Sequence, residues 1–275
     1  MSQTHPELFD HQALRRNRAR ARRAQSDLFL QTTARDELKD RLTMVNKSFH
    51  APAVVTPFGA VWEGHLDHAK IVDDDLVLDL EEGAHDLVIH ALGLHWANDP
   101  VGQLIQCRRA LEPDGLFLCA CLGGETLAEL RGALTKAEAE VSGGLSPRVA
   151  PMGEVRQLGA LLQRAGLSLP VADQIALNTR YKSPLHLMYD LRTMGEANVL
   201  ADRRSSFTPR ALLMRAAEFY VAQHGDQDGS VPATFDLVVL TGWSPDASQP
   251  QPLRPGSATN RLADALGVNE APLQD

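Results

Sequence analysis

The stretch DLVIHALGLHWANDPVGQLIQCRRALEPDGLFLCACLGG, from Asp86 to Gly124, decides the fold. Its first six residues form an apolar run that predicts a buried strand. A proline near the start of the next segment and turn-forming residues after it predict a helix over 100–111. The run LFLCACL at 116–122 predicts a second buried strand. A strand, a helix and a strand in this order indicate a parallel sheet covered on both faces.

The same alternation extends outward in both directions. Further strands are predicted at 53–56, 69–72, 171–179 and 233–241, and further helices at 14–24, 34–44, 126–141, 155–165, from 183 and 208–224. The tail contains four prolines between 245 and 255, which favour an extended path, and a short helix is predicted at 258–266.

These patterns predict four parts in the chain. They are an N-terminal helical arm (1–50), an α/β core (51–181 and 233–245), a helical insertion (182–232) and an extended C-terminal tail (246–275).

Charge is distributed unevenly along the chain. The net charge is −8, yet residues 1–50 hold ten Lys and Arg against six Asp and Glu. The acidic remainder argues against a nucleic-acid-binding protein, because phosphate contacts need clustered cations. No run approaches the ~20 apolar residues of a membrane span. The basic cluster from Arg15 to Arg23 has three interpretations: a solvated helix, a docking face for an acidic partner, or a lid over the site.

Three cysteines, Cys107, Cys119 and Cys121, form no disulfide framework. Cys119 and Cys121 are two residues apart in an apolar run, so their thiols point to one face of a strand. This arrangement predicts buried, reduced cysteines and favours a cytoplasmic location. His65 and His68 have no third ligand placed near them, and we predict no metal site.

Several ordered motifs resemble one protein family. They are DLVIHALGLHWAND from Asp86, GGETL from Gly123, GGLSPRVAP from Gly143, LGALLQRAG from Leu158, MGEAN from Met194, DGSVPAT from Asp228, TGW from Thr241 and RPGSAT from Arg254. Together they are similar to the class I S-adenosylmethionine methyltransferase-like complex I assembly factors of mitochondria and alphaproteobacteria. That family is itself similar to the malonyl-carrier-protein methyltransferase of biotin synthesis. The resemblance covers about residues 8–267.

The resemblance implies a Rossmann-like sheet of seven strands that binds S-adenosylmethionine at the carboxyl ends of its strands. It also implies a role in the maturation of respiratory complex I, where the mitochondrial member is associated with hydroxylation of a subunit arginine. A complex I subunit or a companion assembly factor is the implied partner. The family's acidic segment before the fourth strand, which usually contacts the adenine, matches the segment that holds Asp73 and Asp74.

The cofactor loop departs from the family pattern. Such a loop needs several glycines, which let backbone N–H groups approach the ligand. This chain has Val55-Thr56-Pro57-Phe58-Gly59, in which Gly59 alone matches, Pro57 lacks an N–H and Phe58 is bulky. The sequence therefore predicts a degenerate cofactor site.

The spacing after this loop is also short. Gly59 and Asp86 are 27 positions apart. Two crossovers of about a dozen residues and two strands of about five or six residues overfill that interval. We therefore predict that one β-α unit is missing, together with the carboxylate that holds the ribose hydroxyls.

Candidate site residues follow the carboxyl ends of the predicted strands, where open α/β sheets bind ligands. Gly59, Asp73 and Asp74 are candidates for cofactor binding, and His95 is a candidate general base. Trp96, Glu125 and Arg131 are candidate pocket residues.

Each candidate also has a structural interpretation, as a turn residue, an acidic surface turn, a packed side chain or a helix cap. Two functions remain open: an S-adenosylmethionine-dependent enzyme acting on a protein or a small acid, and a non-catalytic assembly or binding module that has lost the cofactor.

Overall fold

In a computed structural model, residues 7–24 and 27–250 are described. The strands are β1 (Pro52–Val55), β2 (Lys70–Val72), β3 (His85–Ala91), β4 (Leu111–Gly123), β5 (Ser168–Tyr181) and β6 (Val231–Trp243). The helices are α1 (His11–Ala24), α2 (Phe29–Thr43), α3 (Pro100–Ala110), α4 (Ala128–Ser142), α5 (Val155–Arg164), α6 (Pro184–Thr193) and α7 (Arg210–His224). Each strand and helix predicted within the described residues overlaps one of these elements. The tail beyond Pro250, with its predicted helix at 258–266, lies outside them.

One mixed sheet organises the fold, with the strand order β2-β1-β3-β4-β6-β5. The first four strands run parallel, and β6 runs antiparallel to both β4 and β5. β3 is buried along its whole length. Alternate residues of the central strands supply two cores: Val54 and Ile89 pack on the α2 side, and Val55 and Val88 on the side of α3 and α5.

The sheet has six strands within the described residues, as the spacing predicted. A single 3-10 turn, Gly59–Val61, stands between β1 and β2. Residues 73–84, between β2 and β3, form no helix and no strand. Chain length is the physical reason, because the 27 positions from Gly59 to Asp86 cannot hold two complete crossovers. The missing β-α unit is therefore confirmed, and the fold is an α/β Rossmann-like sheet.

The predicted turn at 112–115 lies inside β4 rather than before it. His85 pairs with Leu111 and Leu87 pairs with Leu116, so five residues of β4 advance against two of β3. Asp114 has a φ of 59°, a left-handed conformation that this irregularity requires. The turn residues therefore produce a bulge and leave the strand unbroken.

The cysteine prediction is confirmed in its structural part. Cys107, Cys119 and Cys121 are buried, unbridged and packed in the same core. Burial raises the pKa of Cys107 to about 12, so its thiol stays protonated at neutral pH.

The chain divides into two compact units, Met1–Pro245 and Asp246–Asp275. In the described start of the second unit, Asp246 accepts hydrogen bonds from the backbone and hydroxyl of Ser248. The finer division of the first unit into arm, core and insertion stays a prediction. Within the described residues, no helix is long and apolar enough to cross a membrane.

Candidate functional site at the carboxyl ends of the strands

Helix α1 lies across the carboxyl ends of β1 and β2. Three of its arginines, at positions 15, 18 and 22, pair with the three consecutive aspartates that follow β2. The Arg18 guanidinium donates to Asp74 at 2.7 Å, and both side chains are 8% exposed. The Arg15–Asp75 and Arg22–Asp73 pairs, at 2.7 and 2.9 Å, are open to solvent. The candidate cofactor carboxylates are thus brought together, and each is paired with the chain's own N-terminal helix.

A glycine after β3 makes room for the buried pair. A Cβ atom at Gly93 would collide with the carboxylate of Asp74. A side chain at position 93 would therefore push Asp74 away from the strand ends. The glycine here accommodates a protein carboxylate, although a glycine in this position could equally accommodate a ligand.

The degenerate loop after β1 is also covered by α1. Arg22 donates from Nε and Nη2 to the carbonyl oxygen of Pro57, at 3.0 and 2.6 Å. Phe58 is 3% exposed, and a Cβ atom at Gly195 would lie 3.4 Å from its ring and 3.5 Å from Ala21. Loop, helix and the Gly195 turn are therefore in close contact.

The residues at the strand ends determine whether S-adenosylmethionine can bind there. The adenine-side carboxylate, Asp74, is buried against Arg18, and the loop that would approach the cofactor presents Phe58 and a proline without an N–H. The loss of the ribose carboxylate stays a prediction, because β2 lies directly beside β1 and is followed by Asp73. In this conformation α1 and Phe58 cover the strand ends where the cofactor would bind.

A histidine, a tryptophan and a glutamate meet beside this region. Trp96 Nε1 donates to Glu196 Oε2 at 2.7 Å, and His95 Nε2 lies 3.3 Å from the same oxygen. The Leu122 N–H approaches His95 Nδ1 at 3.5 Å. Burial raises the pKa of Glu196, but the hydrogen bond and charge of His95, the charge of Arg18 and the hydrogen bond of Trp96 outweigh it and lower the pKa overall.

Glu196 was missed by the sequence reasoning. It stands in the family-like motif MGEAN, where a carboxylate between small residues was the available signal. His95 and Glu196 are 101 positions apart, so local patterns could not pair them.

The N-terminal segment before α1 is fixed to the same tryptophan. Phe9 packs edge-on against Trp96 with ring centroids 5.1 Å apart. Its backbone N–H donates to Asn98 Oδ1 at 2.9 Å, and its carbonyl accepts from Asn98 Nδ2 at 3.0 Å. Phe9 also forms an isolated antiparallel bridge with Leu200. The segment from Phe9 to Arg22 is therefore held at both of its ends. Trp96 and Asn98 hold its start, and Pro57 and Asp73 hold its end.

Beyond Trp96, a cavity of about 180 Å³ remains between β4, α4 and α6. Its walls are mostly hydrocarbon, with Trp96 at one side and Arg148, Glu196 and Asn198 at the border. The main apolar lining residues are Leu122, Leu127, Leu130, Leu134, Met152 and Leu191. The structure thus fills the cofactor side of the site and leaves the neighbouring side open.

The remaining predicted pocket residues lie outside the cavity. Glu125 is exposed, and its backbone N–H donates to the buried carboxylate of Asp236 at 2.7 Å. Arg131 donates to the carbonyl of Thr126 at 3.2 Å and lines an adjoining depression together with Arg148. Their roles, like those of His95 and Trp96, stay predictions. No group of three potential metal ligands occurs among the described residues.

Comparison with known proteins gives one family. A methyltransferase domain model matches residues 58–119. The zebrafish (Danio rerio) protein named arginine-hydroxylase NDUFAF5, mitochondrial, is 41% identical over 200 residues, which are 73% of this chain and 62% of that protein. A Rickettsia prowazekii protein named "putative methyltransferase" is 32% identical over 153 residues, 54% of this chain and 67% of that protein.

Two more distant similarities are also found. A malonyl-[acyl-carrier protein] O-methyltransferase of Xylella fastidiosa is 28% identical over 206 residues, 75% of this chain and 66% of that enzyme. A solved structure of a putative methyltransferase from Bacillus halodurans is 9% identical, with a TM-score of 0.46 over 80% of this chain and 100% of that one.

The matched segments cover only part of this chain and only part of each relative. This chain spans about three fifths of the length of the arginine hydroxylases that it resembles, 62% in the zebrafish protein. It covers two thirds of the Rickettsia protein at 32% identity. This similarity shows that the chain belongs to the methyltransferase family.

Proposed function

We propose that this chain serves respiratory complex I maturation as a protein-binding module that does not use S-adenosylmethionine. One observation carries the proposal: α1 occupies the cofactor side of the strand ends, while the adjacent cavity stays open. A protein that needed the cofactor would have to displace the buried Arg18–Asp74 pair first. A protein that only holds a client needs no such rearrangement.

The partner follows from the resemblance and from the relatives. The motifs from Gly123 onward match a family that implies complex I maturation, and a binding module retains such motifs when they hold a client. We propose a complex I subunit or a companion assembly factor as that client. The cytoplasmic location stays a prediction, because the arginine hydroxylases similar to this chain are named as mitochondrial.

The competing function is S-adenosylmethionine-dependent catalysis on a protein or a small acid. The domain model favours it, since the match at 58–119 runs from the β1 loop into β4. It would require α1 to leave the strand ends and the loop at Pro57 and Phe58 to open. Cofactor binding is a trait of the family, and this chain departs from the family at the residues that supply it.

Cofactor binding by the whole chain discriminates between the two functions. S-adenosylmethionine is titrated into the wild-type chain and an Arg18→Glu variant, whose α1 is repelled by Asp74, with calorimetry and thermal unfolding as readouts. A ligand of the native state raises the melting temperature in proportion to the logarithm of its concentration. We expect neither heat nor stabilisation in either protein, whereas a malonyl-[acyl-carrier protein] O-methyltransferase treated identically should show both.

Saturable binding by the wild-type chain, lost in Asp74→Asn, would overturn the proposal. Binding by Arg18→Glu alone would identify α1 as a gate and would favour the enzyme. Circular dichroism confirms that the variants remain folded.

A further inference from the structure

A second depression lies at the amino ends of the strands, the opposite edge of the sheet from the candidate site. Pro52 and Leu87, which face each other there in β1 and β3, both line it. Its volume is about 310 Å³. The other lining residues are Leu42, Phe49, His65, Leu66 and Asp67. The depression therefore offers a hydrocarbon wall next to one imidazole ring and one carboxylate.

Two cations of α2 approach this imidazole ring. Arg35 and Lys39 are four positions apart, so they lie on one face of the helix. Arg35 Nη1 lies 3.0 Å from His65 Nε2, and Lys39 Nζ lies 3.5 Å from His65 Nδ1. Arg35 also pairs with Asp36 at 2.7 Å. In the part of the chain that the structure describes, Lys39 makes no ion pair, so its charge has no local partner.

This arrangement leaves two hydrogen-bond donors facing each other in every protonation state of His65. A neutral imidazole has one accepting and one donating nitrogen, whereas guanidinium and ammonium groups only donate. If His65 Nε2 accepts from Arg35, the N–H on Nδ1 faces Lys39 Nζ. The other tautomer places an N–H against Arg35, and the imidazolium places one against each cation. An acceptor oxygen between His65 Nδ1 and Lys39 Nζ would satisfy both donors.

The local charges favour an anion as the source of that oxygen. Burial and the charges of Arg35 and Lys39 lower the pKa of His65, and the charge of Asp36 does not outweigh them. Asp67 is exposed, so solvent and salt screen its repulsion. Charge-assisted hydrogen bonds are about 2.7–2.9 Å long, and two nitrogens 3.5 Å apart can both reach one carboxylate at that length.

We propose that this depression binds a small carboxylate that carries an apolar group. The carboxylate lies between His65 Nδ1 and Lys39 Nζ, and the apolar group packs on the hydrocarbon wall. The site is independent of the proposed function, because it lies at the other edge of the sheet and shares no lining residue with the cavity beside Trp96.

Benzoate is the probe, and NMR titration of His65 in the whole chain is the measurement. An anion held at this position stabilises the imidazolium, so we expect saturating benzoate to raise the pKa of His65 by about one pH unit. Sodium chloride at the same ionic strength screens the two cations and should raise the pKa less, without saturation. Benzyl alcohol, which has the ring without the carboxylate, should leave it unchanged. Acetate should bind about tenfold more weakly than benzoate, because it buries less hydrocarbon.

The position of the anion is tested with Lys39→Gln. Loss of the ammonium removes a like charge, so the pKa of His65 should be higher before any ligand is added. We expect the affinity for benzoate to fall about tenfold, because one charge-assisted hydrogen bond is lost. Lys182→Gln removes an exposed charge outside the depression and should respond as the wild type does. Thermal unfolding shows whether both variants remain folded.

Three outcomes contradict the site. The pKa of His65 could rise no more with benzoate than with chloride, or Lys39→Gln could bind benzoate as tightly as the wild type. Acetate or inorganic phosphate could also bind as tightly as benzoate, which would assign the cluster to a bare anion and leave the hydrocarbon wall without a role. The titration with S-adenosylmethionine tests the proposed function separately, because it does not involve this depression.

Discussion

At the scale of single residues, the pairing of Arg18 with Asp74 changes the role that each side chain can have. The sequence offers a basic helix and an acidic turn, each of which is stable in water without the other. Both side chains are 8% exposed in the structure, so each carries a desolvation cost that its partner offsets. Asp74 is therefore part of the folded core of the site rather than an available ligand.

Removing one member of this pair should be strongly destabilising. Arg18→Ala leaves a buried carboxylate without a partner, and we expect a loss of about 3–5 kcal/mol in the free energy of unfolding. Arg15→Ala removes an exposed pair of the same helix and should cost about 0.2–1 kcal/mol. Urea denaturation measures both. Equal losses would show that the Arg18 pair is no more important than a surface contact.

At the scale of elements, α1 has two different sides. Ala13, Leu14 and Ala21 are buried, while the arginines at 15, 18 and 22 face the aspartates after β2. The helix therefore lies over the strand ends, Arg18 is buried there, and Arg22 is half exposed and paired within the chain. The lid and the docking face stay predictions.

A different set of arginines remains for an acidic partner. Arg16, Arg20 and Arg23 follow one another at helical spacing and make no ion pair among the described residues. Arg20 Nε is buried without a hydrogen bond, and burial together with the charge of Arg192 lowers the pKa of Arg20. Arg20 and Arg192 are two like charges that make no ion pair among the described residues. They therefore favour the approach of a carboxylate from a partner.

Changing the three arginines of α1 that make no ion pair among the described residues should weaken client capture. We expect the triple variant Arg16→Glu, Arg20→Glu and Arg23→Glu to reduce pull-down of a complex I subunit about tenfold at low salt. The difference should shrink as salt rises, because exposed charges are screened beyond ~8 Å at physiological ionic strength.

The matched control for this variant changes the same charge elsewhere. Arg156, Arg164 and Arg210 are exposed and lie outside α1, so their change to Glu should leave capture intact. Unchanged capture by the α1 triple variant would show that these three arginines are solvated and do not bind the client.

At the scale of the whole molecule, Glu138 joins α4 to two distant segments. Its carboxylate accepts from the backbone and hydroxyl of Ser146 and from Arg148, and Arg204 lies 3.7 Å away. Arg148 in turn donates to Thr208, just before α7. One buried charge thus connects the core with the segment that leads into α7.

Glu138 should make stability depend on pH. Burial raises its pKa, but the hydrogen bonds of Arg148 and Ser146 outweigh this effect and lower the pKa from 4.5 to about 2. A lowered folded pKa stabilises the fold above pH 4.5, and that contribution is lost as the pH falls towards 2. We expect Glu138→Gln to lose about 1–3 kcal/mol near neutral pH, because buried donors are left with a weaker acceptor.

The difference between Glu138→Gln and wild type should close between pH 4.5 and about 2 in denaturation curves. Glu140→Gln, two residues along the same helix, removes an exposed carboxylate and is the control. A constant difference across this range would show that the charge of Glu138 contributes nothing to folding.

The sequence by itself determined the order of strands and helices and the missing β-α unit. Apolar runs and turn residues act on their own neighbours, and 27 positions cannot hold two crossovers, so both signals are local or countable. It also identified the loop at Pro57 and Phe58, because the need for glycine depends on residue type alone.

Only the tertiary structure decided what occupies the site. Arg18 and Asp74 are 56 positions apart, and His95 and Glu196 are 101 apart, so neither pair has a signature within a sequence window. The cavity beside Trp96 is likewise a property of how α4, α6 and β4 fail to fill the space between them. Contacts between distant segments form when elements pack, and the same arginines and aspartates would be solvated on a chain that packed differently.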